Sequence, residues 1–277
     1  MRRRLLAALA LCAFTAAAPA ATLEIPTPYV PSTNLNVDEM LRLAAVQPND
    51  VVYDLGSGDG RIPIAAARDW GARGVGIELD GKLVQESREN AKREGVADRV
   101  TFHEGDVLKG AYGEATVVMM YLLTPLVERL KPKLLAELKP GTRIVAHEYG
   151  FSDWKPDRHV QVSKNYYLYV VPATVAGKWQ LTMSLPAGPR EYELELTQRF
   201  QEVRGGARVA GGYLPAFEPR LTGERIAFVL VDENVSYRFE GRAGLNAIEG
   251  VVRWGIGPRQ QESKWRATRL TAVVVDG

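Results

Sequence analysis

Across residues 36–138, short apolar runs alternate with stretches whose apolar positions recur every three or four residues, the pattern of strands joined by amphipathic helices. Val37, Met40, Leu41 and Ala44 share one helical face, and Gln47-Pro48-Asn49-Asp50 ends that helix before a strand at 51–54. The pattern then predicts a helix over 62–69, a strand over 74–78, a helix over 82–94 and a strand over 99–103. A strand over 116–121, a helix ending near 138 and a strand over 143–147 complete five strands. Helices between successive strands return the chain to its starting edge, so these strands should be parallel. Segments 159–163 and 165–171, almost adjacent, predict an antiparallel hairpin that closes the sheet.

After Pro172 the helical period disappears and alternation takes over. In Glu191-Tyr192-Glu193-Leu194-Glu195-Leu196 acids alternate with apolar side chains, which gives a strand one wet and one packed face. Similar segments recur near 178–184, 206–214, 225–231, 235–240, 247–254 and 263–269, separated by turn sequences such as Ala187-Gly188-Pro189 and Gly205-Gly206. This predicts a run of antiparallel strands, as a barrel or folded meander. The expected fold is α/β, a doubly wound sheet over 21–172 followed by a smaller antiparallel all-β domain over 173–277.

Composition changes the picture mainly at the start of the chain. MRRRLLAALALCAFTAAAPA, residues 1–20, places three arginines before an apolar stretch and a small-residue Ala18-Pro19-Ala20 cleavage site. It reads as a secretory signal peptide, too short for an ordinary membrane span, and predicts an exported, periplasmic protein. The alternative is a chain anchored in the membrane by an uncleaved N-terminus. Cys12 is the single cysteine and lies in this segment, so disulfides, zinc-thiolate sites and cysteine nucleophiles are excluded from the processed protein, and no metal site is expected. Cleavage removes three of 35 basic residues and none of 33 acidic ones, taking the formal charge from +2 to −1. Nothing supplies the basic stripe a nucleic acid would need.

Candidate chemistry begins at Asp54-Leu55-Gly56-Ser57-Gly58-Asp59-Gly60, between a predicted strand and a predicted helix. Backbone without side chains at Gly56, Gly58 and Gly60 lets a ligand approach closely, beyond the carboxyl ends of the strands. A dinucleotide fold would use G-x-G-x-x-G and seat a diphosphate on the helix N-terminus. Here the spacing is G-x-G-x-G, and Asp54 would repel a diphosphate while favouring a ligand with an amine or sulfonium. Glu78 ends the second strand, 18 residues past Gly60 and close to the roughly 20-residue spacing at which an acid meets ribose hydroxyls. Asp106, just past the third strand, can accept from an exocyclic amine. Three acids at three consecutive strand ends outline an amino-acid end, a ribose and a purine.

These residues resemble the class I S-adenosylmethionine-dependent methyltransferases. The segment 54–60 matches that family's first motif, Glu78 its second-strand acid and Gly105-Asp106 its adenine-side acid. More narrowly, Tyr29-Val30-Pro31-Ser32, "YDLGSGDGR" and "GVGIELD" are similar to the protein-lysine methyltransferases related to the ATP synthase c-subunit enzyme, and distantly to the Dot1 histone methyltransferases. The likeness spans residues 29–156. It implies a Rossmann-like sheet, S-adenosyl-L-methionine as cofactor, a protein substrate, and Tyr29 and Pro31 in a loop that closes over the cofactor. Asp59 and Arg61 are expected to fix the loop and the first helical turn.

On the acceptor side, Met119-Met120-Tyr121-Leu122-Leu123-Thr124-Pro125 lacks the Asn/Asp-Pro-Pro-Tyr box of amide and adenine methyltransferases. Tyr121 is the first candidate for lining the acceptor channel, followed by His147 and Glu148. An aromatic face can hold an ammonium by cation–π attraction, and a lysine acceptor must lose a proton to solvent or a base. Trp154 either caps this site or packs on the second domain. Trp179, Trp254 and Trp265 are expected as core anchors of the β-rich half, which could present or recruit the substrate. Two competing functions are an exported, non-catalytic nucleoside-binding or sensor protein and a nicotinamide-dependent oxidoreductase. The latter is disfavoured by the glycine spacing and by Asp54.

Overall fold

The computed structural model describes residues 30–272; the leader-like segment, Cys12 and Tyr29 lie outside them. Helix α1 (Asn34–Leu43) starts where the Thr33 side chain accepts from the Asn36 N–H, 3.3 Å away. Then come β1 (Val51–Leu55), α2 (Arg61–Trp70), β2 (Arg73–Glu78), α3 (Gly81–Arg93), β3 (Val100–Glu104) and β4 (Val117–Met120). Helix α4 (Thr124–Glu137), β5 (Arg143–His147), β6 (Arg158–Gln161) and β7 (Asn165–Val170) complete the first sheet. Its order is β3-β2-β1-β4-β5-β7-β6. Strands β1 to β5 are parallel, β7 runs antiparallel to β5, and the expected hairpin is β6–β7.

Apolar residues of α1 and α2 pack with Val52, Val117, Met119 and Val145 on one face. Those of α4 pack with Val51, Tyr53, Val118 and Ile144 on the other. Coverage on both sides explains why β1 and β4 are apolar at every position except Asp54. The winding direction reverses between β1 and β4, which opens a crevice beyond their carboxyl ends.

The second sheet contains β8 (Gly177–Leu185), β9 (Gly188–Arg199), β10 (Glu202–Val209), β11 (Gly212–Pro215) and β12 (Phe217–Thr222). It continues through β13 (Arg225–Asp232), β14 (Val235–Ala243), β15 (Ala247–Trp254) and β16 (Gln261–Ala272), in the order β11-β10-β9-β8-β16-β15-β14-β13-β12. The Ala216 N–H donates to the Gly205 carbonyl, so its two ends nearly meet. Trp179 and Trp265 are buried in its core, and Trp254 is half-buried beside it.

Two expectations need correction, and one strand was not anticipated. The segment 206–214 is two strands, β10 and β11, broken at 210–211. Gly205-Gly206 is no turn but lies inside β10, where side chains would run into the carbonyls of Glu195 and Leu214. Strand β12 had no alternating signature because Glu218 takes a φ of 48° and the register shifts between Phe217 and Arg220.

Trp154 belongs to the junction between the sheets. It stacks on Phe200 at 5.1 Å, and its indole N–H donates to the Gln201 side chain at 2.8 Å. At a second contact the Ala173 N–H donates to the Gly223 carbonyl, and a Cβ on Gly223 would lie 2.9 Å from the Gly141 Cα. Between them the connector is held by the Gln198 amide, which accepts from Val175 N–H and donates to the Ala173 carbonyl, and by Arg269, which donates to the carbonyls of Thr174 and Ala176. Gly141 lies two residues before β5 and Val171 follows β7, so this contact lies at the edge where the parallel strands begin. The acids predicted for the ligand lie at the opposite edge. Among the described residues no helix is long and apolar enough to cross a membrane.

Candidate cofactor and acceptor site

At the end of β1 the chain turns tightly. Gly56 and Gly60 have φ of 79° and 80°, a left-handed conformation that strains any other side chain, and a Cβ on Gly60 would lie 2.7 Å from the Phe102 ring. The N–H groups of Gly56 and Ser57 both donate to the Ile77 carbonyl, which fixes the turn against β2. Glu78 ties the next layer: one carboxylate oxygen accepts from the Gly58 N–H at 2.8 Å and the other from the Asp80 N–H at 3.0 Å. Asp59 pairs with Arg61 at 2.5 Å, and Arg61 also donates to the Ser32 carbonyl. That bond holds the segment carrying Pro31, itself exposed, beside the start of α2. Asp59 and Arg61 thus organise the loop, as expected from the sequence.

The three acids sit where the strand ends place them. Asp54 is 3% exposed, and burial together with the negative charges of Glu78 and Asp59 pushes its carboxyl well above the usual range. Asp106 is half-buried and accepts from the Leu108 N–H at 2.9 Å, which orients it just past β3. The buried Ser57 hydroxyl has no hydrogen-bond partner among the described residues. A side-chain-free turn, an orphaned hydroxyl and three carboxylates at neighbouring strand ends fit an adenosyl sulfonium, whose cation relieves the repulsion around Asp54. They do not fit a diphosphate.

From this turn a succession of neighbouring residues leads toward β5. A Cβ on Gly56 would lie 3.0 Å from the Leu122 side chain, next to Tyr121. The half-buried Tyr121 ring lies 4.1 Å from that of His147, which stacks on Tyr166 at 5.1 Å. The Tyr166 hydroxyl donates to Asn36 of α1 at 3.0 Å. His147 is 1% exposed, neither ring nitrogen is partnered among the described residues, and burial pulls its pKa down to about 4. It is neutral at physiological pH. Glu148, at a φ of 63°, accepts from the Asn165 side chain at 3.0 Å and pairs with Lys164 at 2.7 Å. Those partners hold its pKa down to about 2, so it is a fixed anion and a poor base.

Of the acceptor-side candidates, Tyr121 and His147 meet ring to ring and Glu148 follows in the chain; Lys164, Asn165 and the Ser57 hydroxyl were not among the candidates. Ser57 was legible inside the glycine motif. Lys164 was not, since only the pairing of β5 with β7 brings it to Glu148.

Residues 54–158 match the ANTKMT methyltransferase domain. A protein-lysine N-methyltransferase of Saccharolobus islandicus is 43% identical over 150 residues, 52% of this chain and 93% of the relative. The ATP synthase c-subunit lysine N-methyltransferase of Xenopus laevis is 38% identical over 130 residues, 47% of this chain and 57% of that one. Among solved structures, an RNA methyltransferase from Salinibacter ruber in complex with S-adenosyl-L-homocysteine is 49% identical with a TM-score of 0.52, covering 53% of this chain and 96% of that chain. Neither the sensor nor the oxidoreductase alternative finds support among these relatives. With its glycine turn, its three strand-end acids and a relative matched over almost its whole length, the chain belongs to the S-adenosylmethionine-dependent methyltransferase family.

Proposed function

We propose that this protein transfers methyl groups from S-adenosylmethionine to lysine amines of a protein substrate. The observation that carries the acceptor is the 43% identity to a protein-lysine N-methyltransferase across 93% of that relative. Asp54, Glu78 and Asp106, with the turn at Gly56, Gly58 and Gly60, hold the cofactor. When bound, it supplies an electrophilic methyl on a sulfonium, which passes in line to a neutral amine and leaves S-adenosylhomocysteine. The chain's own contribution is positioning, which can supply several kcal/mol without a covalent intermediate. Tyr121 offers the incoming side chain an aromatic wall. Neither His147 nor Glu148 has the basicity to deprotonate a lysine ammonium at neutral pH, so the acceptor gives its proton to solvent before transfer.

The RNA methyltransferase likeness supplies a second acceptor to test. A formal charge of only +2 over 277 residues, and a fixed carboxylate at Glu148, next in the chain to the His147 that lies on Tyr121, favour an ammonium over a polyphosphate. Purified protein, methyl-labelled S-adenosylmethionine and a cell extract decide between them. Label on lysines, identified by mass spectrometry and absent with Asp54→Asn, is expected. Label confined to RNA, or none in either fraction, overturns the proposal. We also infer export from the leader-like residues 1–20; a mature N-terminus at residue 21 in a periplasmic fraction is expected, and recovery of the intact chain in the cytoplasm would refute it.

A further inference from the structure

We propose that Glu148 is the ammonium-recognition carboxylate of the acceptor site and that Lys164 occupies it as an internal stand-in, displaced when a substrate lysine arrives. The assignment rests on the lysine-methyltransferase reading and adds to it the group that selects the charge of the acceptor.

Glu148 directly follows His147, whose ring lies against Tyr121, and Leu122 touches the glycine turn, so the carboxylate stands at the end of a succession of neighbouring residues that begins at the cofactor site. Its backbone is unusual: φ is 63° for a residue with a side chain, and the Tyr149 N–H donates to the His147 carbonyl two residues earlier, at 2.8 Å. Such a tight left-handed turn is rare and strained outside glycine. It sets Glu148 between the buried His147, whose ring lies on Tyr121, and Tyr149, which is 39% exposed.

Lys164 sets an ammonium on Glu148 at 2.7 Å, in the electrostatic neighbourhood of Tyr121 and Tyr149. A fixed carboxylate that takes a charge-assisted hydrogen bond from an ammonium is what recognition of a lysine side chain requires. Asn165 holds the carboxylate independently, through its side chain at 3.0 Å and its N–H at 3.4 Å, so the acid remains in place if Lys164 leaves. Lys164 has a 45% exposed side chain in the short turn between β6 and β7. The lysine end of the pair is open to water, so a competing ammonium can reach the carboxylate and replace it. Glu148 then attracts the charged lysine at the crevice mouth, and the amine that moves on toward Tyr121 leaves its proton in water.

The test uses n-butylammonium as a lysine side-chain probe and n-butanol as its neutral counterpart, titrated against the S-adenosylhomocysteine-saturated full chain and followed by NMR of the tyrosine ring protons. Butylammonium, and not butanol, is expected to shift Tyr121 and Tyr149. Lys164→Met should tighten butylammonium binding about 3- to 10-fold by removing the competitor, and should lower the KM for the protein acceptor by a similar factor with kcat little changed. Glu148→Gln should weaken probe binding about 10-fold or more without altering S-adenosylhomocysteine affinity. Equal or weaker binding by Lys164→Met overturns the assignment, as does binding that Glu148→Gln leaves intact, or no probe response in either wild type or Lys164→Met. Because Lys164 is exposed, its variant decides the matter even if Glu148→Gln fails to fold. A charge-specific probe response in a protein that methylates no lysine would refute the proposed function while supporting the ammonium site.

Discussion

Asp54 concentrates the conflict between stability and function in one carboxyl. It is the acid of a strand otherwise apolar on both faces, and its pKa is raised by burial and by Glu78 and Asp59. A folded-state pKa above the unfolded one favours the protonated form, so its contribution to stability is present below the ordinary carboxylate range and lost as pH rises through the raised value. Asp54→Asn keeps the shape without the charge. Its ligand-free thermal midpoint at pH 8 should equal or exceed wild type, while S-adenosylhomocysteine affinity by calorimetry should fall at least about tenfold, or about 1.4 kcal/mol. His147 has the opposite sign. With its pKa down to about 4, its neutral form is the folded one, so its stabilisation is complete above the unfolded value near 6.5 and is lost as pH falls from there through 4. Nearby Glu148 opposes that shift and Lys164 reinforces it. Denaturant titrations between pH 7 and 4 should show wild-type stability dropping in this window and His147→Phe, which keeps the ring stack, dropping less.

At the scale of elements, the turn from β1 into α2 is where conformation and packing coincide. Gly60 and Gly95 both have positive φ, 80° and 71°, but a Cβ on Gly60 meets the Phe102 ring and Ser87 at 2.7 Å whereas one on Gly95 meets nothing within 4 Å among the described residues. Gly95→Ala should therefore cost only the backbone strain, about 1 kcal/mol, and Gly60→Ala clearly more, about 3 kcal/mol, by urea unfolding. Equal losses would mean that the clash is relieved by movement of α3. Elements of this half were legible because each strand and helix has an unambiguous period, and β5 falls at 143–147 as read from the sequence. In the second sheet the alternation of Glu191–Leu196 was clear, yet β12 was hidden by the positive φ at Glu218. Gly205-Gly206 read as a turn because a glycine pair required by close strand approach and one required by chain reversal look identical in a sequence.

For the whole molecule, the second sheet grips the first through Trp154 and through the Gly141–Gly223 contact, and none of Asp54, Glu78 and Asp106 is part of either. Trp154→Ala removes the stacks on Phe200 and Phe151, the tilted contact with Tyr169 and the bond to Gln201. It should cost roughly 3–5 kcal/mol of stability, measured by chemical denaturation, while S-adenosylhomocysteine binding at 25 °C stays within about twofold of wild type. A large loss of affinity would show that the second sheet supports the cofactor site after all. Any part it plays in recruiting substrate must then be exercised from a surface remote from the glycine turn.

By itself the sequence determined the local terms: periodicity assigned the elements, glycine spacing located the turn, and acids at or just past the ends of three neighbouring strands marked a candidate rim, because strand ends and turns are set by neighbours along the chain. Tertiary structure decided what depends on distant segments meeting. The pairing of β5 with β7 brought Lys164 to Glu148 and Tyr166 under His147, and folding buried His147 deeply enough to hold it neutral. It also assigned Trp154 to the junction rather than to the acceptor mouth. Desolvation and ion pairing are properties of a packed neighbourhood, and no spacing along a single chain encodes them directly.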